Sequence, residues 1–123
     1  MVIPKSRIFN KTMQIKKIIR SWKVGLKNNI LITQKAKIKL NTNEQISFYS
    51  NDLNKIENEI CKKSWGYYLT PSIDKRLKKY GQKVFIMKNS KKNSYLVIVN
   101  NSKLREFKKY CNDEKQKYFL LKN

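Results

Sequence analysis

The first carboxylate in the chain is Glu44, and the residues from Met1 to Asn43 hold eleven lysines and arginines. An element built from this stretch has no acid of its own, so each cation must stand in water or meet an anion from elsewhere. The imbalance continues along the chain, with 29 basic against 8 acidic residues and a formal net charge of +21, which makes a polyanion the first partner to consider. Lysine supplies 25 of the cations; the arginines are Arg7, Arg20, Arg76 and Arg105, and there is no histidine. Lysine, asparagine and isoleucine share A/T-rich codons, so a low-GC genome inflates all three. Asparagine is neutral, however, and does not account for the shortage of acid.

At 123 residues, 40% of them apolar, the chain fits one domain with a modest core. Cys61 and Cys111 read as small buried hydrophobes rather than a disulfide framework. Without histidine, and with scattered acids, no tetrahedral metal site and no cofactor is implied. No apolar run nears the roughly 18 residues that span a bilayer. The expected location is the cytoplasm, although the acid-poor start also resembles an organellar presequence.

Met1 to Ser6 reads as a loose leader. Thr12 then caps a segment in which Ile15, Ile18, Ile19 and Trp22 follow helical spacing, with Lys16, Lys17, Arg20 and Lys23 toward the other side. This predicts a basic amphipathic helix within a segment 1–28, able to dock on its own domain, an anionic membrane or nucleic acid. Extended structure is the alternative, since isoleucine and valine suit strands. From Asn29 the period changes to two: Ile30 and Ile32, then Ala36, Ile38 and Leu40, then Ile46 and Phe48 alternate with polar residues. A meander follows, turning at Asn41 to Glu44, with Lys35, Lys37 and Lys39 on its outer face, where they also discourage edge pairing.

Asn51 or Asp52 caps a predicted helix carrying Leu53, Ile56 and Ile60, ended at Trp65-Gly66. Thr70-Pro71 starts another, with Ile73, Leu77 and Tyr80 inward and Gly81 as its stop. Lys83 to Lys88 and Ser94 to Val99 form a hairpin across Asn89 to Asn93. Ser102 caps a last helix with Leu104, Phe107 and Cys111 inward, and Tyr118 to Leu121 closes as a strand. The expected fold class is α+β: a single domain over 29–123, with an antiparallel sheet of about five to six strands packed by about three to four helices.

The densest constellation runs from Trp65 to Leu77. A helix starting at Thr70 presents unpaired N–H groups and partial positive charge to an anion, and Thr70 and Ser72 add hydroxyls. Arg76 grips phosphate or carboxylate through paired hydrogen bonds, with Lys75 and Lys79 beside it. Trp65, Tyr67 and Tyr68 precede this site as a candidate aromatic platform, and Phe85 with Tyr95 is a second place for bases to stack. The alternative for all of these is simple capping, packing and ion pairing. For catalysis there is little: no histidine base, no glycine-rich phosphate loop, and Glu57 and Glu59 diverge on the expected helix.

The block from Trp65-Gly66-Tyr67-Tyr68-Leu69-Thr70-Pro71-Ser72 through Arg76-Leu77 to Gly81, followed by Val84 to Asn89 and Tyr95 to Val99, resembles small uncharacterised bacterial proteins. Some of these resemble accessory members of surface-polysaccharide gene groups. The likeness spans Lys62 to Tyr110 and implies a helper role beside a partner enzyme, holding a phosphorylated or carboxylated ligand near Thr70 to Arg76. The residues themselves favour a non-enzymatic binding protein for an anionic partner, nucleic acid first and a membrane surface third.

Overall fold

Alternation of apolar and polar residues governs the first half of the chain, and strands rather than helices follow from it. The computed structural model describes residues 14–50 and 56–122. The expected leader from Met1, the Thr12 cap, and the cap at Asn51 or Asp52 with Leu53 lie outside these residues. Contacts divide the chain into two compact units, one of residues up to Phe48 with Glu59–Leu69, the other of Tyr49–Asn58 with Thr70 onward.

In the first unit, β1 (Gln14–Val24) and β2 (Ile30–Lys39) form an antiparallel hairpin. Gly25 and Asn28, at φ 96° and 52°, make the left-handed bends of its loop, which the Asn28 N–H closes onto the Gly25 carbonyl at 3.0 Å. The helix expected over Ile15 to Trp22 is therefore a strand, and the boundary placed after residue 28 falls inside the hairpin loop. The reason lies in the register. Lys17 pairs with Ala36 and Arg20 with Gln34, so Ile18 and Ile19 both stand opposite Lys35. This bulge inserts one residue and lets Ile15 and Trp22, an odd number of positions apart, share one face. A bulged strand thereby imitates helical i, i+7 spacing.

The next sheet has the order β3-β4-β5, from Gln45–Tyr49, Glu57–Lys63 and Gly66–Thr70. The turn before β3 forms as expected, with the Glu44 N–H on the Asn41 carbonyl at 3.1 Å and the Asn41 N–H on Glu44 Oε1 at 2.6 Å. The meander does not, because β2 and β3 belong to different sheets. The helix predicted through Ile56 and Ile60 is replaced by β4, the middle strand of its sheet, and next to β3 the Lys62 N–H and carbonyl bond Glu44 and Asn43 at 2.9 and 2.7 Å. Pairing on both edges outweighs the weak apolar helical stripe.

The second unit holds the core. Its sheet has the order β7-β6-β8, with β6 at Gln82–Lys88, β7 at Ser94–Asn100 and β8 at Lys117–Lys122. The expected hairpin and closing strand are thus present. Asn89 turns the hairpin by accepting the Lys91 and Asn93 N–H groups on Oδ1 at 3.0 and 2.9 Å. Phe85, facing Val97 and Leu120 on its neighbours, meets Phe107 and Tyr118 with ring centroids 5.3 and 5.8 Å away. Phe107 lies on α2 (Leu104–Asp113), which also buries Cys111 with its Sγ 3.8 Å from Met87 Sδ. A short 3-10 turn, Asn101–Lys103, takes Ser102 out of the capping position. Buried Gln82 is satisfied by Asn100 Oδ1 at 2.9 Å and by Asn58 Nδ2 at 3.0 Å.

Before this sheet, α1 covers only Arg76–Lys79 rather than the whole of Thr70 to Tyr80, although Gly81 at φ 75° does end it. Strand accounts for 55% of the structure and helix for 17%, in three sheets of two or three strands. The fold is therefore mostly β, and the expected α+β arrangement of three to four helices packed on one five- to six-stranded sheet is not what the chain adopts.

Candidate functional site

Strand alternation sorts the hairpin residues by face. Ile30, Ile32, Gln34, Ala36 and Ile38 point one way along β2, joined across the register by Val24, Trp22, Arg20, Lys17 and Ile15. The opposite face carries Leu31, Thr33, Lys35, Lys37 and Lys39, joined by Lys23, Ser21, the bulge pair Ile18 and Ile19, Lys16 and Gln14. Side-chain contacts agree: Ser21 Oγ and Thr33 Oγ1 are 2.9 Å apart on the second face, and Arg20 Nε donates to Gln34 Oε1 at 2.5 Å on the first.

The second face thus gathers five lysines and no acid. Lys16 stands directly opposite Lys37, an arrangement of like charges that destabilises a strand pair by about 0.2–1 kcal/mol. Among the described residues none of the five makes an ion pair. Gln14, Lys16, Lys37, Ile38 and Lys39 line a shallow depression of about 210 Å³ at the open end of the hairpin. The polar positions of this face hold no asparagine; the asparagines of this stretch, Asn28 and Asn29, stand at the loop.

The predicted basic arm is divided by the bulge. Lys16 and Lys23 lie on the lysine face, whereas Lys17 and Arg20 lie on the apolar one, where the Arg20 guanidinium sits 5.2 Å from the Trp22 ring centre. The outer lysines Lys35, Lys37 and Lys39 fall together as the alternation implied. The opposition of Lys16 to Lys37 was not visible in the sequence, because loop length and bulge set it jointly.

The expected anion site at Thr70 to Lys79 lacks the helix start it needed. Thr70 ends β5, and the helix begins only at Arg76. The Arg76 N–H reaches Ser72 Oγ at 3.4 Å and the Leu77 N–H donates to the Ser72 carbonyl at 3.0 Å, so those amides already have partners. Lys75 and Lys79 are exposed, and Leu77 is buried as predicted.

The aromatic platform is likewise split. Tyr67 and Tyr68 are consecutive in β5 and so face opposite sides, with the Lys62 ammonium 5.5 Å from the Tyr67 ring centre; Trp65 is exposed in the preceding turn. Phe85 and Tyr95 make no platform, since Phe85 is buried and Tyr95 pairs with Met87. No helix among the described residues is long and apolar enough to cross a membrane. Comparison with family models, curated proteins and solved structures finds no match to the chain.

Proposed function

We propose that the protein binds a polyanion, nucleic acid first, through the lysine face of the β1–β2 hairpin. The observation that carries this reading is the placement of Lys16 opposite Lys37 beside Lys35, Lys39 and Lys23 with no acid within the hairpin. Facing lysines weaken a free hairpin, and phosphates lying along it turn the same repulsion into binding free energy. Lysine suits sequence-independent attachment, because an ammonium contacts phosphate as a point charge without demanding one geometry.

A titration of the full chain against labelled nucleic acid at increasing salt tests the reading. Affinity is expected to fall with a log-log slope of about 0.9 per duplex phosphate neutralised, so five engaged lysines give about −4.5. A slope near zero, or no binding at low ionic strength, removes the reading.

A further inference from the structure

Building on that reading, we infer that the β1–β2 hairpin enters the major groove of B-form duplex DNA as a two-stranded ribbon, lysine face inward. Single strands are bound largely by stacking unpaired bases on aromatic rings. The lysine face carries none: its members are Gln14, Lys16, Ser21, Lys23, Leu31, Thr33, Lys35, Lys37 and Lys39, with Ile18 and Ile19 of the bulge opposite Lys35, while Trp22 stands on the other side beneath Arg20. What this face offers is cations, hydroxyls, one amide and the exposed aliphatic side chains of Leu31 and Ile19.

Size then selects the duplex. Strands of 11 and 10 residues, at about 3.4 Å per residue, give a ribbon about 35 Å long, close to one helical turn of DNA. Two strands about 4.8 Å apart fit a major groove about 12 Å wide. The deep, narrow major groove of A-form RNA excludes such a ribbon. The bulge at Ile18 and Ile19 strengthens the right-handed twist the groove requires.

Lysines on both strands reach the phosphates lining the groove. Between them, Gln14 and the hydroxyls of Ser21 and Thr33 meet base edges, and Leu31 meets thymine methyl groups.

The test measures anisotropy of labelled duplex DNA, duplex RNA of the same sequence, single-stranded DNA, and vesicles containing phosphatidylserine, each titrated with the full chain. Duplex DNA is expected to bind at least about tenfold more tightly than either other nucleic acid, and to be displaced by a major-groove dye but not by a minor-groove one. Lys16→Gln/Lys37→Gln/Lys39→Gln should lower DNA affinity on the order of 100-fold at 0.1 M salt and reduce the slope by about 2.7. Lys88→Gln/Lys91→Gln/Lys108→Gln removes the same charge elsewhere and should cost about threefold or less. Lys16→Arg/Lys37→Arg/Lys39→Arg should retain binding, which separates lost contacts from lost folding.

Equal affinity for the two duplexes, equal loss in the two glutamine triples, or displacement by the minor-groove dye overturns the ribbon inference while leaving polyanion binding intact. Vesicle binding without DNA binding overturns the ribbon and redirects the reading to a membrane surface. No binding to any of the four removes both.

Discussion

The β1–β2 hairpin and the β7-β6-β8 sheet are built from the same residue types, lysine among isoleucine, valine and aromatic side chains, yet they put them to opposite use. Along β6, Gln82, Val84, Phe85 and Met87 are all buried, whereas no residue of β1 or β2 reaches that class. On the second unit acids accompany the bases, and Lys109 bonds Asp113 at 2.8 Å. On the hairpin none does. One region spends its sequence on cohesion, and the other presents charge at the expense of its own stability. The lysine content is therefore not uniform in consequence, even where it is uniform in number.

The largest expected effect tests where the cohesion lies. Phe85→Ala removes a ring that is 6% exposed and packed against Phe107 and Tyr118, and should cost about 3–5 kcal/mol, a large share of the stability of a small domain. Both tryptophans, Trp22 and Trp65, belong to the first unit, while α2 belongs to the second. Denaturant unfolding followed by helical circular dichroism should shift more than unfolding followed by tryptophan fluorescence. Equal shifts would mean that the hairpin draws its order from the same core and would break the contrast.

Thiol labelling sharpens it next. Cys111 is 1% exposed, and burial raises its thiol above the usual value of 9.0, so little thiolate forms and little of it is reachable at neutral pH. Cys61 in β4 is only partly buried. Iodoacetamide should modify Cys61 on the order of 100-fold faster than Cys111 in the native protein, with the difference lost in denaturant. Comparable native rates would show that the core opens as freely as the strand that carries Cys61.

The contrast also governs how much was legible in the sequence. The hairpin over residues 82–100, α2 and β8 were readable because each repeats its apolar residues at the period of the element it forms. β1 was not: a bulge put Ile15 and Trp22 on one face at a spacing that helices also use. The alternation of Lys35, Lys37 and Lys39 announced an outer face, but its partner Lys16 depended on a register that local pattern does not contain. At Thr70 to Lys79 the composition suggested a helix start, but Thr70 ends β5 and the helix begins only at Arg76, where Ser72 already accepts the Arg76 and Leu77 N–H groups. Tyr67 and Tyr68 make no common platform, because consecutive residues of a strand face opposite sides.

A smaller effect, of unusual sign, follows for the lysine face. Lys16→Thr removes one member of the Lys16–Lys37 opposition and places a β-branched residue in a strand, so the free protein should gain about 0.2–1 kcal/mol. The gain should shrink as salt screens the repulsion that it relieves. DNA affinity should fall in the same variant. A residue whose loss improves folding and weakens binding is retained for binding; loss of stability on Lys16→Thr would instead make Lys16 a structural residue and remove the opposition as a functional signal.

The smallest effect separates side-chain hydrogen bonding from strand pairing on the hairpin. The Ser21 Oγ to Thr33 Oγ1 bond of 2.9 Å joins the two strands beyond the bulge, with water at hand to replace either partner. Ser21→Ala should therefore cost only about 0.5 kcal/mol, the low end for a net hydrogen bond. Thr33→Val, which keeps the shape and the β-branch, should cost about the same. Because the two hydroxyls share one bond, the double variant should cost about as much as either single one, leaving a coupling energy of about 0.5 kcal/mol by double-mutant cycle. Additive losses would show that each hydroxyl has a separate task in the free hairpin, and the backbone ladder, rather than this bond, would then be left to hold the lysine-bearing strands in register.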